Sequence, residues 1–294
     1  MRHSRFHAVR ERVETLARVP GPYGWAVEFA VFVFKQGWAC LFGALMLFGL
    51  LASFLFYPDD APIHRYDAIT IYAVLIQVGM LAFRLETPRE AVVIFIFHVV
   101  GTVMELFKTA AGSWVYPEPA ILKIGDVPLF SGFMYAAVGS YIARCWRSFD
   151  FRFTGYPPRW TSFVLAALIY VNFFAHHWTV DIRYALFALT VILFWRTRIH
   201  FRVLQQHRWM PLLVGWLLVA LFIWFAENLG TFARAWTYPN QDEGWQMVSL
   251  AKLGSWYLLM IISFVLVTLV SPICGISKSG EDDAPRPMPP RPDA

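Results

Sequence analysis

The chain has 294 residues, of which 58% are hydrophobic, 18% aromatic and only 15% charged, with a mean hydropathy of +0.50. That composition leaves too little polar surface for a water-soluble domain, and it excludes a disordered chain, a collagen and a disulfide scaffold. The formal charge of +5 is a nucleic-acid signal only if the basic residues cluster apart from the apolar runs, so their positions decide.

The N-terminal segment, 1–35, carries Phe6, Val9, Val13 and Leu16 at helical spacing, with Arg5, Arg10, Arg12 and Arg18 on the other face. This predicts either an interfacial helix on an anionic leaflet or an ordinary solvated terminal helix. No cleavable signal is expected, because the first long apolar run starts some 35 residues in without an Ala-x-Ala exit. Apolar runs of spanning length then follow at about 36–57, 65–83, 89–107, 127–145, 159–176, 181–197, 209–227 and 246–271. The sixth is short, so seven crossings compete with eight. The tail from 273, with Glu281-Asp282-Asp283 and five prolines among its last ten residues, is too polar to pack and is expected to be disordered.

Sorting Lys and Arg by loop puts nineteen on the side of the N-terminus, five on the other, and Lys252 alone inside a run. The positive-inside rule then predicts an inner-membrane protein with both termini cytoplasmic, and the net charge is a topology signal with no nucleic acid implied. Cys40, Cys145 and Cys274 fall near the cytoplasmic ends, where thiols stay reduced.

An internal repeat organises these runs. Residues 105–117 read ELFKTAAGSWVYP and residues 227–239 read ENLGTFARAWTYP, six of thirteen positions agreeing at an offset of 122. The pairs are Glu105 with Glu227, Thr109 with Thr231, Ala111 with Ala233, Trp114 with Trp236, Tyr116 with Tyr238 and Pro117 with Pro239. Gly132 with Gly254 and Tyr135 with Tyr257 extend the match. The expected fold is an all-α polytopic bundle of about eight spans. It comprises two parallel four-helix repeats, 36–145 and 159–272, joined by a linker at 146–158 and related by an axis along the membrane normal.

An ionisable group near the end of a span is costly unless it is paired or faces a polar cavity, which makes Glu105 and Glu227 the candidate acid/base pair. Trp114, Tyr116, Trp236 and Tyr238 follow them as a candidate substrate-binding wall, or as an aromatic belt with a helix-breaking Pro. His98 and Thr102 share a helix face with Glu105 and suggest a proton path, the competing reading being a histidine bonded to a carbonyl. His176, His177 and Asp181 are metal-ligand types, but adjacent histidines on a helix point about 100° apart, so no metal is assigned. Lys252 needs a carboxylate partner, Glu227 or Glu105, either as a structural ion pair or to tune that carboxylate. Its counterpart at the 122 offset is Phe130, so one half is read as working and the other as supporting. Gly125-Asp126-Val127-Pro128 reads as the start of the fourth span, with Asp126 a cap.

The stretches Glu105–Pro128 and Glu227–Trp256 resemble the domain of unknown function 817 family of bacterial integral membrane proteins, over the whole apolar region. The resemblance implies a bacterial inner membrane and no activity. Glu105, Trp114, Tyr116 and Val127-Pro128-Leu129 are also similar to a pattern in membrane carotenoid hydratases and lycopene cyclases. There a carboxyl protonates a polyene and aromatic faces stabilise the cation. The Pro-x-Glu-Glu pair of the cyclases is missing. Two functions are therefore carried forward: a cofactor-free acid/base enzyme acting on a lipid or isoprenoid, and a secondary carrier or channel using the glutamates as proton or cation sites.

Overall fold

The computed structural model describes residues 21–204, 207–271 and 273, with 12, 15–17 and 19 before them. The interfacial stripe at Phe6–Leu16 and the polar tail therefore lie almost wholly outside the described residues. The chain is mostly helical: α1 (Pro22–Ala39), α2 (Leu41–Phe56), α3 (Arg65–Ala82), α4 (Pro88–Ala110), α5 (Phe130–Phe149), α6 (Arg159–Ala175), α7 (Arg183–Phe194), α8 (Leu212–Phe232) and α9 (Leu250–Thr268). Each of the eight apolar runs contains a helix. Four of these, α3, α4, α8 and α9, are long and apolar enough to cross a membrane, and α1 with α2 makes a fifth candidate bent by 65° at Cys40. α6 and α7 are apolar but shorter.

Local chemistry explains several boundaries. α4 starts at a capping box in which Thr87 Oγ1 accepts from Glu90 N at 3.3 Å and Glu90 Oε2 accepts from Thr87 N at 2.7 Å, with Pro88 in the first turn. α4 and α8 end alike. The amides of Ser113 and Gly112 bond back to Lys108 O and Thr109 O at 2.9 and 3.0 Å. Those of Ala235 and Arg234 bond to Gly230 O and Thr231 O, each at 3.0 Å. Both are Schellman closures with a left-handed residue, Gly112 at φ 68° and Arg234 at φ 51°. Buried Arg65, in the first turn of α3, donates to Ala233 O and Arg234 O at 3.0 Å each, placing a cation on the C-terminus of α8.

An all-α reading misses two small sheets. β1 (Lys123–Ile124) and β2 (Val127–Pro128) form a two-stranded antiparallel ladder. Gly125-Asp126 is thus a hairpin turn and not a helix start; α5 begins only at Phe130, and the Asp126 side chain is 89% exposed. β3 (Arg152–Thr154), β4 (Arg198–Arg202) and β5 (His207–Pro211) form a three-stranded sheet at the opposite end of the bundle. Segment 146–158, read as a linker, supplies the end of α5 and strand β3.

The main core lies between α4, α5, α6, α7, α8 and α9, around Phe97, Leu165, Trp216, Ile261 and Phe264. A second core, around Phe42, Leu50, Tyr66 and Phe130, fills the space between α2, α3 and α5. The two glutamate motifs sit at the end of the bundle where α4, α6 and α8 finish and α5, α7 and α9 begin.

Candidate functional site

The two motifs meet. Val115 and Thr237, 122 residues apart, form a reciprocal backbone bridge, Val115 N to Thr237 O at 3.0 Å and Thr237 N to Val115 O at 2.9 Å. That pairing sets the two Trp-x-Tyr stretches side by side, each folded back on the end of its own helix.

Glu105, on α4, is 5% exposed and accepts three hydrogen bonds: from Trp114 Nε1 at 2.7 Å, Tyr116 OH at 2.7 Å and Tyr135 OH at 2.8 Å. Gly101, one turn before it, lets the Tyr135 ring lie against α4, since a Cβ there would sit 2.6 Å from the ring. Glu227, on α8, is 4% exposed and accepts from Tyr238 OH and from Trp256 Nε1. The Tyr116–Glu105 and Tyr238–Glu227 bonds occupy equivalent positions at the 122 offset. Burial, followed by the neighbouring carboxylate, pushes both phenols well above their ordinary range, so both remain donors.

Two aromatic contacts link the carboxylates. Trp114, bound to Glu105, meets Tyr238, bound to Glu227, edge to face at 6.1 Å. Tyr135, bound to Glu105, lies 6.2 Å from Trp256, bound to Glu227. The two glutamates and four rings thus form one closed circuit. Trp256 is the member that the repeat conceals, because its counterpart at the offset is Met134. Trp236, the counterpart of Trp114, is not bonded to Glu227; its ring lies over Gly230, where a Cβ would come within 2.4 Å of it.

Beside this circuit is a cavity of about 210 Å³, and Glu227 lines it while Glu105 does not. Trp114, Tyr135, Phe173, Tyr238 and Trp256 supply its aromatic wall, and Lys108, Arg183 and Lys252 its cations. Lys252 was expected to pair with a carboxylate. Its Nζ instead rests over two ring faces, 4.2 Å from the Tyr238 centroid and 5.0 Å from that of Trp114, and no described carboxylate lies within salt-bridge distance. The rings satisfy the ammonium in part while leaving it on the cavity wall.

Lys108 was not singled out in the sequence, yet it is 4% exposed and lines the same cavity. Its Nζ is 2.9 Å from His177 Nε2, 3.4 Å from His176 Nε2 and 4.3 Å from the Phe173 centroid. His176 Nδ1 lies 2.9 Å from Asn172 O, a pure acceptor, so the ring proton sits on Nδ1 and Nε2 offers its lone pair to the ammonium. Burial, then the neighbouring Lys108 and His176, lowers the pKa of His177. α6 ends at Ala175, and the irregular turn that follows lets both imidazoles reach one cation. The cation is an ammonium, and among the described residues no three His, Cys, Asp or Glu side chains are grouped to hold a metal. Asp181 instead pairs with Arg183 at 2.5 Å.

The remaining candidates lie apart from the cavity. His98 packs on Phe133 at 4.6 Å, its Nδ1 is buried without a partner, and Thr102 Oγ1 donates to its carbonyl at 2.7 Å. Tyr116 lies behind Glu105, against Tyr66 and Phe130.

Comparison with known proteins adds kinship without chemistry. No solved structure matches the chain. It is 43% identical over 236 residues to the uncharacterized protein YoaT of Bacillus subtilis (strain 168), covering 80% of this chain and 89% of that one. Nothing in these comparisons supports a likeness to carotenoid hydratases or lycopene cyclases. The signature of the family described as "Protein of unknown function (DUF817)" matches residues 28–264, and the chain belongs to that family.

Proposed function

We propose that the chain is a multi-pass inner-membrane protein built from two parallel four-helix repeats, and that its working site is the Glu227 cavity. There it acts as a cofactor-free acid/base enzyme on a lipid or isoprenoid. The repeat is supported by the reciprocal Val115–Thr237 bridge, the matched Schellman closures of α4 and α8, and the matched Tyr116–Glu105 and Tyr238–Glu227 bonds. The observation that carries the site is that a buried carboxylate faces a cavity walled by aromatic rings.

In this reading Glu227 gives or takes the proton at the reacting carbon or oxygen, Tyr238 and Trp256 orient it, and Lys252 biases its charge. Glu105 holds the aromatic circuit in register and does not itself react. The carrier reading fits less well: Lys108, Arg183 and Lys252 line the same cavity and repel a proton or metal cation moving to Glu227.

The test is a comparison of lipid extracts from a deletion strain carrying the wild-type gene, Glu227→Gln or Lys252→Met. The reading expects a species that changes on deletion, returns with the wild-type gene and fails to return with Glu227→Gln. An unchanged lipid profile on deletion removes the enzyme reading.

A further inference from the structure

Three cationic heads, Lys108, Arg183 and Lys252, line the cavity, and Glu227 is the carboxylate in its lining. Two further carboxylates lie behind the wall: Asp181 beside Arg183, and Glu105, whose oxygens are taken by Trp114, Tyr116 and Tyr135. Asp181 is taken by Arg183 at 2.5 Å, and the oxygens of Glu227 are taken by Tyr238 and Trp256. That leaves Lys108, held by two imidazoles and a phenyl face, and Lys252, held by two ring faces. An ammonium held away from water without an ion-paired carboxylate is costly, and imidazoles and ring faces meet only part of the cost.

The two lysines also come from unrelated places in the sequence. At the 122 offset Lys108 corresponds to Gly230 and Lys252 to Phe130, so each is a departure from the repeat, one in each half. Both departures lead to the same cavity. A structural need of the helix ends would recur in both halves; a need of the cavity's occupant would not.

We propose that this cavity binds an oxyanion of the phosphate class, seated between the ammonium groups of Lys108 and Lys252, with Arg183 at its edge. This rests on the cavity being the working site and names the chemistry of its substrate. The apolar remainder of the wall, Ile169, Phe173, Leu258 and Leu259, gives an alkyl or prenyl chain a place to lie, so a lipid-borne phosphate and a free phosphate are the two sources.

The experiment uses the full chain in neutral detergent. Thermal stabilisation is measured against inorganic phosphate, dodecyl phosphate and dodecanol, for wild type, Lys108→Met, Lys252→Met and Lys252→Arg. Dodecyl phosphate is expected to stabilise the wild type and dodecanol not to. Each Met variant should weaken the effect about tenfold or more, with Lys252→Arg retaining most of it. A stronger effect of dodecyl phosphate than of inorganic phosphate identifies a lipid head group, and equal effects identify the free anion. The proposal is overturned if neither anion stabilises the wild type, if dodecanol does as well as dodecyl phosphate, or if both Met variants respond like the wild type. A deletion strain with altered lipids alongside failed phosphate binding would retain the enzyme reading and remove only the anion. Binding with unchanged lipids would do the reverse.

Discussion

The two glutamates begin from the same sequence motif and end in opposite surroundings. Around Glu105, three donors occupy the carboxylate, and Phe130 plugs the space that matches Lys252, packed edge to face on Tyr116 at 6.0 Å with no exposure. Around Glu227, Tyr238 keeps the equivalent bond, but Lys252 replaces the plug and a cavity opens. Leu50, at the place matching Asn172, completes the contrast, since it belongs to the apolar core while Asn172 lines the cavity. One copy of the motif became packing and the other kept an opening. A buried carboxylate is therefore a guide to function only together with what lies in front of it.

Substitutions can break this contrast in order of size. Phe130→Lys places an ammonium among Tyr66, Tyr116 and Met46 with no partner, and is expected to cost ~3–5 kcal/mol, read as a large fall in the unfolding temperature in neutral detergent. Glu105→Ala strands three donors in a closed space and should cost ~2–4 kcal/mol, and Glu227→Ala less, because water in the cavity can serve its donors. Equal losses in the two alanine variants would remove the distinction between the sites. Gly230→Ala drives a methyl into Trp236 and is expected to cost ~1–3 kcal/mol by the same measurement. Lys252→Met gives up two ring contacts and removes an ammonium that has no ion-paired carboxylate, so stability should change by ~1 kcal/mol or less while the lipid phenotype is lost. A large destabilisation by Lys252→Met would make that lysine structural.

Much of this was legible in the sequence. The apolar runs mark the helices because a lipid-facing or buried helix needs a continuous apolar stretch, and the 122-residue offset selects Glu105, Glu227, Tyr116 and Tyr238 together. Lys252 stands out because it alone of the lysines and arginines could not be sorted to a loop. The offset could not reveal Trp256, whose counterpart is Met134, or Lys108, whose counterpart is Gly230 and which reads as an ordinary cation in the last turn of a helix. Both became visible only when α4, α6 and α9 were placed side by side. The partner of Lys252 was misjudged for a physical reason: ring faces can hold an ammonium in place of a carboxylate, and no spacing rule announces that. Strand β4 carried a signal, Arg198, His200 and Arg202 alternating with Ile199 and Phe201, which the surrounding basic residues obscured.

The most direct measurement is carbodiimide labelling of the purified chain in neutral detergent, using a reagent that adds to carboxylic acids it can reach in apolar surroundings, followed by peptide mass spectrometry. Glu227, which faces the cavity, is predicted to carry the label and Glu105, enclosed by Trp114, Tyr116 and Tyr135, to remain unmodified. Labelling of Glu105 to the same extent as Glu227, or of Glu105 alone, would contradict the assignment of the working site.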